Sequence, residues 1–139
     1  MIYLTRRERF SAAHRMFRQE WSDKKNLEIF GKCSNPNWHG HNYVLWITIK
    51  GETSEEHGFV MNMNILKKII QEKVIEKLDH RNINLEVDFM KGKIATTENL
   101  AMAIWNELKY PVEKGGAYLH CVKIEETENN SVEYYGQNN

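Results

Sequence analysis

The chain has 139 residues, 41% of them hydrophobic and 27% charged, which is ordinary for a globular protein. Lysine plus arginine and aspartate plus glutamate number 19 each, so the net charge favours neither nucleic acid nor an anionic membrane as a partner. There is no apolar run of about 18 residues and no signal-peptide pattern at the start. We therefore expect one cytoplasmic domain over residues 1–139 that binds neither membrane nor nucleic acid.

The first third of the sequence predicts two strands separated by a long loop. Residues 2–14 intersperse apolar and polar side chains, and the imperfect alternation at residues 6–9 predicts a β-bulge. Residues 15–38 are rich in Asn, Ser, Asp, Gly and Pro, and a loop of that length in a compact domain is usually functional. Residues 43–50 are rich in β-formers and predict the clearest strand.

Helical periodicity marks the middle of the chain. Apolar residues recur every four positions over residues 64–78, with lysine and glutamate on the other face, and predict an amphipathic helix. Residues 82–95 are predicted as loop. A second helix should start at Thr96 or Thr97, either of which can cap it, and Pro111 and Gly115-Gly116 should end it.

Two short strands are predicted last, at about residues 117–126 and 131–135, joined by a hairpin turn at residues 128–130. The order strand, strand, helix, helix, strand, strand predicts an α+β fold, with a four-stranded antiparallel sheet and two helices packed on one face. The other face of the sheet would need cover, which oligomerisation could supply.

Three histidines suggest a metal site. His39 and His41 are two positions apart, so they share one face of an extended backbone, and Gly40 lets that backbone approach an ion closely. His14, at the end of the first strand, is the best candidate for a third ligand. Three neutral imidazoles suit zinc with an open fourth position, although copper, nickel and iron also accept imidazole. Alternatively, each is an ordinary surface or hydrogen-bonded histidine.

The two cysteines are expected to differ in role. Cys33 could be a fourth metal ligand, a catalytic thiolate or an inert thiol. Lys32 beside it, and a nearby cation, would lower the pKa of Cys33 and favour the thiolate. Such a thiolate could act as general base on a C–H bond that the metal acidifies. Cys121, in a predicted strand with apolar neighbours, is expected to pack in the core.

Other polar residues allow two interpretations each. Asp79 and His80 follow a helix end, where a histidine is favourable, or form a carboxylate–imidazole pair that tunes a proton transfer. Glu126 ends the apolar face of its strand, either as simple solvation or as a polar anchor in a pocket. The hydroxyl groups of Thr96 and Thr97 are helix caps or ligand contacts.

Six blocks of sequence carry a resemblance through most of the chain: Phe10 to Arg15, Phe30 to Tyr43, Gly58 to Asn62, Leu78 to Asn82, Thr96 to Asn99 and Glu126 to Asn130. With them the chain resembles the 6-pyruvoyl-tetrahydropterin synthase family of tetrahydrobiopterin biosynthesis. The resemblance implies the tunnelling fold, with barrel-like trimers stacked into a homohexamer. It also implies a lyase reaction in which 7,8-dihydroneopterin triphosphate loses triphosphate and rearranges internally to 6-pyruvoyl-tetrahydropterin, without a redox cofactor.

The same resemblance implies a role for each candidate residue. Zinc would be held by three ligands: His14, His39 and His41. The catalytic group would be Cys33 as the base, with Asp79 and His80 assisting from a neighbouring subunit. The guanidine-like edge of the pterin would be held by Glu126, with help from Thr96 and Thr97.

Some features leave alternatives open. Trp38 stands where family members usually have glycine, and a φ above zero there would strain it. The related 6-carboxy-tetrahydropterin synthases of queuosine biosynthesis have the cysteine closer to His-Gly-His than Cys33 is here. A folate-linked branch has glutamate instead, against which Cys33 counts. A rival of another class is a non-catalytic zinc- and pterin-binding oligomer. The cation for the triphosphate is open among four residues: Arg9, Arg15, Arg18 and Lys32.

Overall fold

The computed structural model describes residues 1–137, so the last two residues of the predicted domain lie outside the described residues. The strands are β1 Ile2–His14, β2 His39–Gly51, β3 Arg81–Asn82, β4 Tyr118–Thr127 and β5 Asn130–Tyr134. The α-helices are α1 Asp23–Phe30, α2 Met63–Ile70, α3 Glu76–Leu78, α4 Ile83–Glu86 and α5 Thr97–Lys114. Over residues 1–137, no helix has both the length and the hydrophobicity needed to cross a membrane.

The predicted α+β class is confirmed, but the predicted four-stranded antiparallel sheet is wrong. The described strands form one five-stranded mixed sheet in the order β3–β1–β2–β4–β5. Four of the strands pair antiparallel, whereas β3 pairs parallel with β1 through Ala12 and Ala13. A strand of two residues is too short to show side-chain alternation, which is why the sequence did not predict β3.

The pairing of β1 with β2 runs without interruption from Ile2 opposite Gly51 to His14 opposite His39. The bulge predicted at residues 6–9 is therefore wrong. Arg6 and Glu8 occupy inward-facing positions, which hides the alternation, and they pair with each other, with 2.8 Å between Nη2 and Oε1. The long, regular register carries the ends of both strands to the same place.

Helices cover one face of the sheet, here called the inner face. The chain from α2 passes through a π-helical turn at Gln71–Ile75 into α3, so the helix predicted over residues 64–78 is confirmed. Helix α5 continues past Pro111, because the fully buried Val112 anchors its last turn, and it ends at Lys114 with Gly115 as the C-cap, where the glycines were predicted to stop it. The core lies between helices and sheet, and its fully buried side chains include Leu45, Ile47, Leu66, Ile70, Ile104, Leu108 and Ile124.

Two segments predicted as loops contain short helices. Residues 15–38 hold α1 and a 3₁₀ turn at Gly31–Ser34, and residues 82–95 hold α4 and a 3₁₀ turn at Asp88–Met90. Helix α1 buries only Asn26, while Leu27 and Ile29 are exposed, so its sequence lacks the apolar stripe that predicts a helix. These short elements form the surroundings of Cys33 and of the β1 edge.

Candidate metal centre and active site

The register of β1 and β2 brings three imidazoles together at one end of the inner face. His14 and His39 are direct cross-strand partners, and His41 lies two residues further along the same face. One ring nitrogen from each residue lies within 4.8 Å of the other two. We call these residues, His14, His39 and His41, the imidazole cluster. The structure therefore assembles all three residues that the sequence offered as metal ligands.

The hydrogen bonds of the imidazole cluster suit a cation. Nδ1 of His14 lies 2.7 Å from the carbonyl oxygen of Ala95, so Nδ1 carries the proton and Nε2 offers a lone pair. Among the described residues, Nε2 of His14, Nε2 of His41 and both ring nitrogens of His39 are buried without a hydrogen-bond partner. Burying a polar atom without a hydrogen-bond partner costs desolvation free energy. A shared metal ion would satisfy one nitrogen of each residue.

The electrostatics of His14 and His39 favour the neutral imidazole, which is the form that binds a metal. Burial lowers the pKa of His14, and His39 and His41 add to that effect, while the Ala95 carbonyl opposes it. Burial also lowers the pKa of His39, with His41 as the next cause. The site thus presents lone pairs, with no thiolate among its donors, and this donor set fits zinc.

Cys33 lies beside the imidazole cluster, in the 3₁₀ turn at Gly31–Ser34. It lines a cavity of about 350 Å³ together with Met16, Thr97 and Glu126. Its sulfur is not among the described ligand atoms that lie within 4.8 Å of one another, which disfavours the fourth-ligand alternative. Burial raises the pKa of the Cys33 thiol and the charge of Glu126 raises it further, without a lowering contribution from Lys32. The lowering expected from a nearby cation stays a prediction.

Glu126 faces the cavity from a break in the strand ladder. The pairing of β4 with β5 shifts register between Glu125 and Thr127, and such irregularities redirect a side chain. Its Oε2 accepts a hydrogen bond from Thr97 Oγ1 at 2.6 Å and lies 3.9 Å from His14 Nε2. Its Oε1 lies 3.8 Å from His41 Nε2. The carboxylate is therefore held at the imidazole cluster, with Oε1 available to a ligand.

The two threonines have separate functions in the structure. Thr96 is the N-cap of α5, because its Oγ1 accepts a hydrogen bond from the Asn99 N–H at 3.1 Å. Thr97 is buried and donates to Glu126. The sequence allowed either threonine to be a helix cap or a ligand contact. In the structure Thr96 is the cap, and Thr97 is the one that contacts the site through Glu126.

Asp79 and His80 lie at the outer edge of β1, away from the cavity that Cys33 lines. Asp79 Oδ1 accepts from the Ser11 N–H at 2.9 Å, and the His80 N–H donates to the Ser11 carbonyl at 2.6 Å. This backbone bond from Ser11 is the main cause that lowers the pKa of Asp79. The His80 side chain is 84% exposed and lines another cavity, of about 520 Å³. Within one chain, then, these two residues do not meet Cys33.

The four candidate cations are now distinguishable. Arg9 faces the opposite side of the sheet from His14, and Arg18 pairs with Glu20. Arg15 and Lys32 together line a cavity of about 470 Å³ that Ser34, the residue after Cys33, also lines. These two are therefore the remaining candidates.

Three structural details qualify the sequence analysis. Trp38 has φ +68°, so the expected strain is present, at a cost of about 1–2 kcal/mol. Tyr43 is fully buried beside His41, and its hydroxyl has no partner among the described residues. Its two-residue spacing from His41 could have indicated this position. The role of the Ala95 carbonyl could not be predicted from the sequence, because every residue has a backbone carbonyl group.

Fold and site together define an α+β protein in which three clustered histidines, beside a cysteine and a glutamate, could hold a metal ion. The family model described as 6-pyruvoyl tetrahydropterin synthase matches residues 3–137. A 6-pyruvoyl tetrahydrobiopterin synthase of Dictyostelium discoideum is 48% identical over 136 residues, which cover 98% of this chain and 97% of that protein. The chain belongs to the 6-pyruvoyl tetrahydropterin synthase family, as the resemblance indicated.

A solved structure agrees with this assignment. Caenorhabditis elegans 6-pyruvoyl tetrahydropterin synthase superposes with a TM-score of 0.91 at 39% identity, and the match covers 98% of this chain and 96% of that one. A 6-carboxy-5,6,7,8-tetrahydropterin synthase of Rickettsia bellii is 29% identical, over 96% of this chain and 99% of that protein. The likeness to the pyruvoyl synthases is thus the greater of the two.

Proposed function

We propose that this protein acts as a zinc-dependent 6-pyruvoyl-tetrahydropterin synthase, a cytoplasmic lyase that converts 7,8-dihydroneopterin triphosphate into 6-pyruvoyl-tetrahydropterin and triphosphate. The observation that carries the proposal is the convergence of the imidazole cluster, Cys33 and Glu126 in a chain of this family. The family match over residues 3–137 also supports assigning the whole chain, residues 1–139, to a single synthase domain of the tunnelling fold.

Zinc is the proposed metal because the imidazole cluster supplies three neutral nitrogen ligands and leaves a position open. The bound ion would polarise the hydroxyl oxygens of the substrate side chain and so acidify the adjacent C–H bonds. The Ala95 carbonyl would orient His14 towards the ion.

Glu126 would hold the pterin by its guanidine-like edge, with Oε1 accepting from the ring N–H groups and Thr97 fixing Oε2. This contact would also affect Cys33. The charge of Glu126 raises the pKa of the Cys33 thiol, and donors on the pterin would offset that charge. Substrate binding would therefore favour the thiolate when it is needed.

Cys33 would act as the base that takes a proton from the substrate side chain. The electron pair released from each C–H bond stays in the substrate, and triphosphate leaves with the oxygen that joined it to the side chain. Proton shifts then convert the dihydropterin and its hydroxyl groups into a tetrahydropterin and two carbonyl groups. All electrons are moved internally, so the reaction needs no redox cofactor.

Asp79 and His80 would assist at the site of a neighbouring subunit, since they face away from Cys33 of their own chain. Strand edges support such an assembly. Residues 2–10 of β1 have a described strand neighbour only on the β2 side, and β5 has one only on the β4 side. Open edges offer backbone donors and acceptors to a second chain. We propose a homohexamer of two barrel-like trimers, which light scattering would report as six chains per particle.

Product identification tests the proposal. Purified, zinc-loaded protein is incubated with 7,8-dihydroneopterin triphosphate, and the products are identified by mass spectrometry. A 6-pyruvoyl product with free triphosphate is expected. A 6-carboxy product with acetaldehyde would assign the protein to the activity named for the Rickettsia relative instead. Bound zinc without turnover would favour the non-catalytic oligomer.

A further inference from the structure

A side chain, rather than a strand, holds the backbone just beyond β1. The N–H of Arg15 donates to Asn84 Oδ1 at 2.9 Å, and Asn84 Nδ2 donates to the carbonyl of Arg15, also at 2.9 Å. One amide group thus satisfies both backbone groups of Arg15, as a residue of a neighbouring strand would. Asn84 continues the pairing that β3 makes with Ala12 and Ala13.

Asn84 is itself fixed in place at the start of α4. The side chain of Asn82 caps this helix, accepting from the N–H groups of Asn84 at 3.0 Å and Leu85 at 3.2 Å. The N–H of Asn82 in turn donates to Glu86 Oε2 at 2.7 Å. Ile83, between the two asparagines, is buried in the core. The amide of Asn84 is therefore carried by a rigid support.

Arg15 transmits this support to the turn that holds Cys33. Its Nε donates to the carbonyl of Ser34 at 2.7 Å, and the N–H of Met16 donates to the carbonyl of Cys33 at 2.8 Å. The guanidinium also packs over the Phe17 ring, 4.0 Å from its centroid. Two successive carbonyls of the turn are thus held by two successive residues, whose own position depends on Asn84.

We propose that Asn84 and Arg15 are positioning residues that fix the Cys33 thiol against the substrate side chain. This inference rests on the proposed function, which makes Cys33 the base. Proton transfer from carbon needs a close, aligned approach, and a displacement of about 1 Å can reduce a rate roughly 100-fold. In this role Arg15 acts as an N–H donor, and its positive charge is not required.

Three substitutions separate hydrogen bonding from charge. Asn84→Ala removes both contacts to the Arg15 backbone. Arg15→Met removes the donor to Ser34, whereas Arg15→Gln places an uncharged N–H close to the position of Nε. Asn64→Ala is the matched control, because Asn64 is exposed and its side chain makes no hydrogen bond to the described residues.

The variants are compared by kcat, KM, zinc content and the rate at which iodoacetamide alkylates Cys33, read by mass spectrometry. Asn84→Ala and Arg15→Met should lower kcat about 10- to 100-fold, with KM within about twofold and zinc unchanged. Alkylation of Cys33 should be several-fold faster, because the turn is released. Arg15→Gln should recover most of the lost kcat, and Asn64→Ala should match the wild type.

Other results would overturn the inference. Unchanged kcat and alkylation in Asn84→Ala would show that the contacts only support the fold. A raised KM in both Arg15→Gln and Arg15→Met would show that Arg15 binds the triphosphate through its charge. If Asn84→Ala does not fold, Asn84→Asp, which keeps the acceptor and loses the donor, should give an intermediate effect. Alkylation needs no substrate, so it tests whether the contacts of Asn84 and Arg15 hold the Cys33 turn even if the wild type has no turnover.

Discussion

Two groups of histidine and carboxylate side chains lie in different parts of this molecule, and they differ most in burial. The imidazole cluster lies with Glu126 on the inner face, where the His14 side chain is 1% exposed and several ring nitrogens have no hydrogen-bond partner within residues 1–137. The pair of Asp79 and His80 lies at the β1 edge, where the His80 side chain is 84% exposed and Nδ1 is 3.1 Å from Asp79 Oδ2.

The difference shows which group needs a ligand within this chain. Burying a polar atom without a partner costs free energy, and a cation bound to the imidazole cluster would offset that cost. The exposed pair carries no such cost, since both side chains are open to solvent and Ser11 bonds to Asp79 and to the backbone of His80. Its contribution to a pocket would require a second chain to cover it. The following predictions test this contrast.

The largest effect should come from His39→Ala. Two imidazoles cannot complete the three-ligand site, so zinc should fall from about one ion per chain to almost none. Elemental analysis after dialysis measures this. His57→Ala is the control, because His57 is exposed and stacks on Phe59, outside the imidazole cluster. Full zinc content in the His39 variant would show that the ligand assignment is wrong.

Cys33→Ala should affect chemistry without affecting binding. Loss of the base should lower turnover by about 100- to 10,000-fold, while zinc content and the affinity for neopterin stay the same. Steady-state kinetics and calorimetry separate these quantities. Cys121→Ala, which removes the other thiol, should keep turnover, although the buried position will cost some stability. Wild-type turnover without Cys33 would remove it from the mechanism.

The exposed pair can be tested by mixing subunits. His80→Ala alone should lower turnover about 10-fold or more, as loss of a proton-transfer partner does. If His80 serves a neighbouring site, co-assembly of His80→Ala with Cys33→Ala subunits should restore up to about one quarter of the composite sites. Activity of the mixed oligomers is the measurement. No recovery above the sum of the two variants would place both residues in the site of one chain.

A smaller effect is expected on the acid stability of the metal-free protein. The pKa values of His14 and His39 are lowered below the ordinary value of 6.5, so the unfolded chain binds their protons first. Stability is therefore complete above pH 6.5 and decreases as the pH falls towards the lowered values. The Tm should drop by several degrees between about pH 7.5 and 5.5. The slope should be shallower in His14→Gln and unchanged in His57→Ala, and a wild-type Tm that rises on acidification would contradict the assignment.

Much of the site on the inner face could be predicted from the sequence, because the residues that form it follow a strand or helix period. His39 and His41 share a face through two-residue spacing, and β1 was read to its correct end at His14. The helices that cover the core have strong apolar stripes and were located well. The short elements α1, α4 and β3 were missed, because each buries at most one residue and shows no period.

Relations between distant segments could not be read from spacing. Whether Thr96 or Thr97 meets Glu126 depends on the angle at which α5 packs on β4. The location of Asp79 and His80 on the far edge depends on hydrogen bonds to Ser11, which is 68 residues away from Asp79 in sequence. The hydrogen bonds between the Asn84 side chain and the Arg15 backbone join residues 69 positions apart. Because every residue has backbone atoms, the sequence at Arg15 gives no sign of this contact.

Zinc titration would show whether the imidazole cluster is the metal centre of a pterin synthase. Metal-free protein is given increasing zinc in the presence of 7,8-dihydroneopterin triphosphate, and product is followed by mass spectrometry. We expect 6-pyruvoyl-tetrahydropterin to form in proportion to zinc up to one ion per chain, and His39→Ala to give none. Product formation by the metal-free protein, or by His39→Ala at the same zinc concentration, would contradict it.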